Sequence, residues 1–504
     1  MAPKNSNKFR QQENIVENRE LNIWEALIPV VALVGMLAYN VYVFGDDAIG
    51  GSNQFILLMG GAVAAVVGFF NKVSYKSMIA EVAENVKSTT GALLILLMVG
   101  ALAGTWLISG IIPAMIYYGL QILNPTIFLA ASVVICAIIS IATGSSWTTA
   151  ATVGIALVGI GDALGISPGM TAGAVLSGAY FGDKMSPLSD TTNLAPAMAG
   201  GDLFSHIRYM TYTTIPTILI TLFVFIIIGL NLETTGIADT ASILDSIDAT
   251  FTINGWLFLV PIAVILLIVK KAPPLMALLI GTLLGALFAL IFQPNIVAAI
   301  TGATELSFES GYKGILNAIT IQTSIATDNA ALNDLFTAKG MKGMLGTIWL
   351  IVCAMVFGGI MDGIGALSRI TKSLLGMAKT TFGLFASTVG SCLALNITAS
   401  DQYLAIVVPG KMFAKAYADR GLAPENLSRT LEDSGTVTSV LIPWNTCGAY
   451  HSGVLGVSVA DYFLFAVFNW LSPITTLVFA AFGIKIKQLT QPKPINPNIE
   501  NIQD

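Results

Sequence analysis

The chain has 504 residues, of which 55% are hydrophobic and only 11% are charged, and its mean hydropathy is +0.78. Soluble domains carry about one quarter charged residues, because much of their surface stays in contact with water. This composition excludes an ordinary soluble globule and predicts a membrane protein. The net charge of -5 provides no basic surface to neutralise phosphates, so we expect no nucleic acid partner.

Long apolar runs, each near the roughly 20 residues that one membrane crossing needs, divide the chain into six segments. These are a polar N-terminal tail (1–22), two transmembrane helices (23–71), a first repeat (72–232), a linker with two transmembrane helices (233–310), a second repeat (311–486) and a polar C-terminal tail (487–504).

Glycine, proline and hydroxyl residues interrupt the apolar runs within each repeat. We interpret these interruptions as a re-entrant hairpin and a broken transmembrane helix, at 127–164 and 170–200 in the first repeat and at 381–413 and 427–450 in the second. Irregular backbone at membrane depth is tolerated where it lines a cavity or a substrate site. The interruptions therefore predict where such a site lies.

Lysine and arginine near the ends of the apolar runs predict the orientation, since cytoplasmic loops carry an excess of both. If both hairpins are re-entrant, nearly all of these residues fall on the side of the N-terminal tail, with the exception of Lys313, Lys339 and Lys342. If the hairpins were full crossings, the basic residues would scatter to both sides. The predicted fold is an all-α polytopic membrane protein with about ten crossings and both termini cytoplasmic.

The two repeats resemble each other in order and spacing. Three stretches of the first align with three of the second: 99–110 with 352–363, 143–147 with 398–402, and 186–191 with 442–447. In the predicted topology the first copy begins inside and the second begins outside. This pattern indicates inverted-topology repeats, a transporter architecture with the site at the repeat interface. Chance similarity in a sequence rich in Gly, Ala and Leu is the alternative.

The tips of the two hairpins are rich in oxygen-bearing side chains. The candidate ligands of a cation and proton site here are Ser145, Ser146 and Thr149 on the first tip, and Thr398, Ser400 and Asp401 on the second. Hydroxyl and carbonyl oxygens are hard ligands of the kind that Na⁺ prefers, and the ends of half-helices add partial charges. The alternative is a packing face of small residues whose hydroxyls bond their own helix.

The first broken helix contains charged residues inside an apolar run. Its candidates are the carboxylates Asp183 and Asp190, with Ser189 and Asn193 as further oxygen ligands and Lys184 as a charge-compensating partner of an aspartate when the site is empty. Charged groups within a membrane are expensive and usually functional. One carboxylate can hold either H⁺ or Na⁺, which is the minimum that exchange requires. A solvated cytoplasmic loop is the alternative.

The second broken helix contributes Asn445 and Thr446 opposite Ser189 and Asp190. Asp433 is a possible buried site residue or a helix cap. Asp362 is a possible cavity residue or marks a helix end. These candidates complete the predicted binding site for Na⁺ and H⁺.

The sequence lacks the motifs of several common enzyme classes. It has no P-loop, no dinucleotide-binding glycine motif and no H-E-x-x-H motif, and its four cysteines lack the spacing of a disulfide framework or zinc site. We therefore expect no enzymatic activity and no cofactor. A passive channel is a further alternative, but buried carboxylates in inverted repeats favour alternating access, since a channel needs weak sites along a continuous pore.

Two motifs are similar to those of the NhaC family of Na⁺/H⁺ antiporters, in the ion transporter superfamily. They are TGSSWTTAATVG at 143–154 and GAYFGDKMSPLSDTTNLAP at 178–196, supported by residues 433–448. The resemblance implies Na⁺/H⁺ exchange across the plasma (inner) membrane of a bacterial or archaeal cell. It also implies two inverted repeats and a homodimer that moves its transport domain like an elevator.

The same family includes exchangers that couple sodium and protons to organic acids, such as malate for lactate. An organic anion would need a cation near the site, and Lys184 is the one evident candidate in the sequence. No arginine lies at either hairpin tip. The sequence therefore favours simple cation exchange, with organic acid exchange as the alternative.

Overall fold

Helices make up most of the part of the chain that the structure describes. The computed structural model describes residues 20–44, 50–122, 124–232, 240–270, 272–327, 333 and 336–489. The predicted tails over 1–22 and 487–504 lie outside the described residues, except for 20–22 and 487–489.

The described chain up to residue 320 contains fifteen α-helices. They are α1 (Ile23–Phe44), α2 (Ser52–Phe70), α3 (Tyr75–Ile108), α4 (Ile111–Ile122), α5 (Pro125–Thr143), α6 (Ser146–Thr149), α7 (Ile155–Ala163), α8 (Pro168–Met185), α9 (Asp190–Ala199), α10 (Leu203–Asn231), α11 (Thr240–Thr250), α12 (Leu259–Val269), α13 (Pro274–Phe292), α14 (Pro294–Ala299) and α15 (Phe308–Thr320).

Nine more follow within the described residues after 320. They are α16 (Gly340–Gly343), α17 (Leu345–Gly363), α18 (Ala366–Gly376), α19 (Thr381–Thr398), α20 (Gln402–Asp419), α21 (Pro424–Leu431), α22 (Thr446–Leu455), α23 (Val459–Tyr462) and α24 (Val467–Ala481). π-helical turns cover Ala150–Gly154 and Glu432–Thr436, and 3₁₀ turns cover Gly255–Phe258 and Ser439–Leu441. Two short antiparallel strands, β1 (Thr323–Ser324) and β2 (Thr337–Ala338), pair Thr323 with Ala338.

Eight helical segments of the described chain are long and apolar enough to cross a membrane. They are α1, α2, α3, α5, α10, α13, α19 and the pair α16–α17. A ninth candidate is the pair Ser242–Thr250 and Gly255–Val269, which is bent by 86°. Large apolar side chains such as Trp24, Phe55 and Phe223 are exposed on these helices, as expected of surfaces that face lipid. The chain is an all-α polytopic membrane protein.

The first arm of each predicted hairpin, α5 and α19, is by itself long enough to cross. Each arm ends at a break, after which the chain continues as α6–α7 or as α20. The predicted broken helices are likewise interrupted. In the first half, residues 186–189 separate α8 from α9; in the second, π-helical and 3₁₀ turns extend α21 to Leu441, and residues 442–445 precede α22. Re-entry of the hairpins and the number of crossings stay predictions.

Backbone landmarks recur in the two halves at one constant separation. Each landmark in the second half has a number 256 higher than its partner: the side-chain N-caps Asn124 and Thr380, Ser145 and Asp401, Ser189 and Asn445, Asp202 and Ser458; the residues with positive φ Gly144 and Ser400, Gly165 and Gly421, Gly200 and Gly456; and the initial prolines Pro168 and Pro424.

This register corrects the sequence alignment of the two tips by one residue. The alignment matched Ser145 with Ser400 and Ser146 with Asp401, because two serines coincide in that register. The structure instead pairs Gly144 with Ser400, at φ 70° and 60°, and makes Ser145 and Asp401 the equivalent N-caps. Positive φ is a steric requirement of the turn, so it defines the register better than residue identity does.

Close packing of α8 on α5 fixes the position of the first broken helix. An added Cβ on Gly178 would lie 2.2 Å from the Val133 carbonyl oxygen, and one on Gly182 would lie 2.5 Å from that of Ala137. Small residues allow two membrane helices to approach this closely. The contact leaves Asp183, which follows Gly182, beside the break after α5.

Candidate functional site

A cavity of about 640 Å³ opens between the interrupted helices of both halves. Its walls are formed by Ser88, Thr89, Gly91, Ala92, Ile95, Thr143, Gly144, Ser145, Trp147, Thr148, Asp183, Pro187, Leu188, Ser189, Asp190, Thr191, Ile268, Ala272, Pro273, Pro274, Asp401, Gln402, Tyr403 and Thr446. Three of these side chains are carboxylates, and none is Lys or Arg among the described residues. The cavity is therefore acidic.

The first break holds the Asp183 carboxylate in place. Gly144 ends α5 in the left-handed conformation, and the Ser145 side chain caps α6 by accepting a bond from the Thr148 amide. This turn directs two donors at Asp183: the backbone N–H of Ser146 at 3.0 Å and its Oγ at 2.6 Å, both to Oδ2. A carboxylate that is 9% exposed is thus anchored at the start of a helix, whose dipole favours negative charge.

Gly144→Ala tests this turn. An added Cβ would lie 2.6 Å from the Cβ and 2.7 Å from the carbonyl carbon of Leu188, in addition to the strain of φ 70°. Gly200→Ala is the matched control, because Gly200 has φ 77° but nothing within 4 Å. We expect Gly144→Ala to be about 1–3 kcal/mol more destabilising than Gly200→Ala, measured as apparent melting temperature in detergent. Equal shifts would contradict the close contact between the turn and Leu188.

The break between α8 and α9 forms the second wall. Ser186 Oγ donates to the Ile141 carbonyl at 2.8 Å, and the Ser189 side chain caps α9. Asp190 is the first residue of α9 and is exposed, while Asn193 donates its amide N–H to the carbonyls of Pro187 and Ser189. Asp190 therefore faces the cavity, and Asn193 stabilises the break.

The second half places Asp401 and Thr446 together. Asp401, 5% exposed, caps α20 by accepting a bond from the Leu404 amide at 3.0 Å. The Thr446 amide donates to the Ser400 carbonyl at 2.9 Å, which joins the two breaks of this half. The Asn445 side chain caps α22 through the Cys447 amide and donates to Asn396. Four helix N-termini thus meet at the cavity.

Aromatic residues connect the halves. The Trp147 ring stacks on the Tyr450 ring at a centroid distance of 3.9 Å, and the Tyr450 hydroxyl donates to the Trp147 carbonyl at 3.2 Å. Asp183, Asp190 and Asp401 line the same cavity, together with Tyr403. The three carboxylates therefore converge on one region from both halves of the chain.

The predicted site residues divide into two groups. Those that line the cavity are Ser145, Asp183, Ser189, Asp190, Asp401 and Thr446. Those absent from its lining are Ser146, Thr149, Asn193, Thr398, Ser400 and Asn445. Members of the second group hold backbone or the first group in position: Thr149 donates to the Ser145 carbonyl at 2.9 Å, and Thr398 donates to that of Ala394 at 2.8 Å.

Lys184 pairs with a different aspartate from those at the cavity. Its ammonium contacts the Asp433 carboxylate, and both side chains are fully buried. Asp433 also accepts bonds from Thr213 at 2.9 Å and from Thr476. Asp433 lies inside the π-helical turn Glu432–Thr436, so a capping role is excluded. Asp433 is buried but absent from the cavity lining, so its part in the binding site stays a prediction.

Asp362 does not line the cavity. It is the next-to-last residue of α17. Of the two interpretations of Asp362, the position at a helix end is the one that matches the structure.

Several cavity residues were not identified from the sequence. Gln402 and Tyr403 directly follow Asp401, so the second tip extends further than expected. Ser88 and Thr89 lie within the long helix α3, and such a hydroxyl pair within a helix could have indicated a cavity wall. The wall at Ile268 and at 272–274 lies in the linker, and its sequence carries no signal of a site.

The carboxylates do not form a metal cluster of the usual kind. Among the residues described, no three His, Cys, Asp or Glu side chains come together in a way that could hold a metal ion. A weakly bound monovalent cation is different, since hydroxyl and carbonyl oxygens suffice to supplement one or two carboxylates. The Ser, Thr and backbone oxygens of the breaks are of this kind.

The fold and the site define an integral membrane protein with an acidic cavity enclosed by interrupted helices. The model of the Na⁺/H⁺ antiporter family matches residues 178–484. The chain is 37% identical over 424 residues to the Na⁺/H⁺ antiporter NhaC of Alkalihalophilus pseudofirmus, covering 84% of this chain and 89% of the relative. The chain belongs to the Na⁺/H⁺ antiporter family.

Two further relatives have names that include organic solutes. The malate-2H⁺/Na⁺-lactate antiporter of Bacillus subtilis is 36% identical over 465 residues, covering 91% of this chain and 93% of the relative. The arginine/ornithine antiporter ArcD of Halobacterium salinarum is 32% identical over 482 residues, covering 95% of each chain.

Proposed function

We propose that the chain is a secondary active transporter that exchanges Na⁺ for H⁺ across the plasma membrane. The observation that carries this proposal is the cavity at which Asp183, Asp190 and Asp401 converge between interrupted helices. Family membership and the likeness to NhaC antiporters support the choice of ions. As a transporter the chain acts without catalysis, and we propose that it needs no cofactor besides the transported ions.

The three carboxylates supply the competition that exchange requires. Asp190 begins α9, and Asp401 caps α20, so both stand at helix N-termini that favour the negative form. Na⁺ binds to the negative form, and a proton replaces it on the same oxygens. If only the loaded protein changes its access from one side to the other, the sodium gradient drives protons in the opposite direction.

The architecture that we propose for this transport cycle consists of inverted repeats within the chain and a dimer of two chains. The paired landmarks of the two halves support inverted repeats, with about ten crossings and both termini cytoplasmic. A homodimer and an elevator movement are proposed from the resemblance to the NhaC family alone. A solvent-accessibility scan with cysteines placed at Ser77 and Ser458 tests the topology, since the inverted arrangement predicts labelling from opposite sides.

Proteoliposomes that contain the purified chain test the function directly. A sodium pulse outside should acidify the outside and raise the internal pH of the vesicles, because protons leave as sodium enters. Vesicles without protein provide the baseline, and an equal pulse of choline controls for osmotic effects. A conductance carried by Na⁺ without any counter-movement of H⁺ would replace this proposal with a channel.

Organic solute exchange is the second candidate, because about 640 Å³ leaves room for a small molecule beside a cation. The acidic lining disfavours a dicarboxylate such as malate and better suits a cationic amino acid such as arginine. Sodium-driven uptake of labelled malate, lactate and arginine distinguishes these cases. Uptake of malate at the rate of sodium exchange would promote organic acid exchange over cation exchange.

A further inference from the structure

A polar stripe runs along one face of α3 and leads away from the cavity. Its members are Glu81, Asn85, Ser88 and Thr89, whose spacing of three or four residues places them on the same side of the helix. Ser88 and Thr89 line the cavity, and the other two continue toward the start of α3. At a rise of about 1.5 Å per residue, the stripe extends about 12 Å from Thr89 to Glu81.

The middle of the stripe is suited to hold water. Asn85 is 8% exposed, and its amide nitrogen makes no hydrogen bond within the described part of the chain. Buried donors are usually satisfied, in many cases by an ordered water molecule. The Ser88 hydroxyl donates to the Asn85 carbonyl at 2.7 Å, and the Thr89 hydroxyl donates to the Val86 carbonyl at 2.9 Å. The lone pairs of both hydroxyls therefore stay free to accept bonds from water.

Helix α17 meets the end of the stripe that is remote from the cavity. An added Cβ on Gly359 would lie 2.6 Å from the Val82 Cα, and one on Gly363 would lie 3.5 Å from Glu81 Cγ. Asp362 directly precedes Gly363 on α17. Because consecutive Cα atoms are about 3.8 Å apart, the Asp362 Cα lies at most about 9 Å from Glu81 Cγ. The two carboxyl groups are thus within reach of each other, directly or through one water molecule.

These two carboxylates lack an ion-pair partner among the described residues. Glu84, on the same helix as Glu81, is different, because it pairs with Lys87 at 3.0 Å. Two carboxyl groups that face each other without a cation can share one proton. Both Glu81 and Asp362 are half-buried, so solvent reaches them as well. The pair can therefore take up and release protons at the far end of the stripe.

We propose that Glu81 and Asp362 form a proton-binding pair that passes protons between the cavity and the side of the membrane at which α3 begins. A proton leaves the pair, crosses water held by Asn85, Ser88 and Thr89, and binds a carboxylate of the cavity as Na⁺ departs. A proton from solvent then restores the pair, and the reverse sequence releases protons. The inference rests on the proposed function, to which it adds a route that protons use and Na⁺ does not.

Two exchange reactions in proteoliposomes test this route. Na⁺/H⁺ exchange needs it, whereas exchange of radioactive for unlabelled Na⁺, at equal concentration and pH on both sides, needs only the sodium-loaded protein. We expect Glu81→Gln and Asp362→Asn each to slow Na⁺/H⁺ exchange at least tenfold and to keep Na⁺/Na⁺ exchange within twofold of the wild type. Asn85→Leu should show the same pattern. It covers the case in which a carboxylate variant fails to fold, because the Asn85 nitrogen has no described protein partner to lose.

Glu84→Gln is the matched control, because it neutralises a carboxylate on the same helix that already has Lys87 as its partner. Both of its exchange reactions should keep the rates of the wild type. Normal Na⁺/H⁺ exchange by Glu81→Gln, Asp362→Asn and Asn85→Leu would overturn the proton route. An equal loss of both reactions would also overturn it, since these residues would then be structural. Either result leaves the exchange of Na⁺ for H⁺ by the wild type intact, and only the absence of that exchange would reject the proposed function.

Discussion

Asp183→Asn is expected to abolish sodium-driven proton exchange in proteoliposomes. The asparagine amide keeps the shape of the side chain, but it neither ionises nor takes up a proton at working pH. Both Na⁺ binding and H⁺ binding therefore lose the carboxylate on which they depend. Hydrogen bonds to a charged partner contribute about 1.5–3 kcal/mol, and Asp183 accepts two of them from Ser146. We therefore expect Na⁺ affinity to fall about 10- to 100-fold, measured by equilibrium binding of radioactive Na⁺ to the purified chain in detergent.

Two further variants make this test specific. Asp190→Asn should also abolish exchange, because Asp190 lines the same cavity. Asp162→Asn should leave exchange unchanged, since Asp162 is exposed on α7 and outside the cavity lining. Normal exchange by both Asp183→Asn and Asp190→Asn would show that the proposed role of these carboxylates is wrong.

Lys184→Met should be strongly destabilising. It removes the cation from a pair whose side chains are both fully buried, and it leaves Asp433 with hydroxyl partners alone. An unpaired buried charge typically costs about 3–5 kcal/mol. The apparent melting temperature of the purified chain in detergent, followed by size-exclusion chromatography after heating, measures the loss.

Two further variants distinguish the cost of an unpaired buried charge from the cost of a lost contact. Lys184→Met combined with Asp433→Leu should recover much of the stability, because replacing both partners of a buried pair with apolar residues is often neutral. Lys487→Met should cost no more than about 1 kcal/mol, since its pair with Glu425 leaves the Lys487 side chain 43% exposed. A double variant as unstable as Lys184→Met would contradict the charge argument.

The position of this ion pair bears on how the site is built. Lys184 follows Asp183 directly, so the same end of α8 presents one residue to the cavity and the next to the protein interior. The pair joins α8 to the π-helical turn of the second half, and Thr213 and Thr476 add α10 and α24. The cavity end of α8 is therefore tied by one buried ion pair and two hydrogen bonds to the helices behind it.

The membrane class and the places of the interruptions were predictable from the sequence. The length and hydrophobicity of each run define possible crossings, and glycine, proline and hydroxyl residues mark where a run ends. Asp183, Asp190 and Asp401 were identifiable for a related reason, because a carboxylate within an apolar run is too costly to be incidental. These are properties of short stretches, and they do not depend on which segments later pack together.

The tertiary structure decided which side chains pair with one another and which residues line the cavity. Lys184 meets Asp433, 249 positions away, instead of an aspartate in its own segment. Ser146 and Asn445 are absent from the cavity lining and instead form hydrogen bonds that hold Asp183 and Asn396. Burial and pairing depend on how helices distant in the chain rotate against one another, and local sequence does not define that rotation.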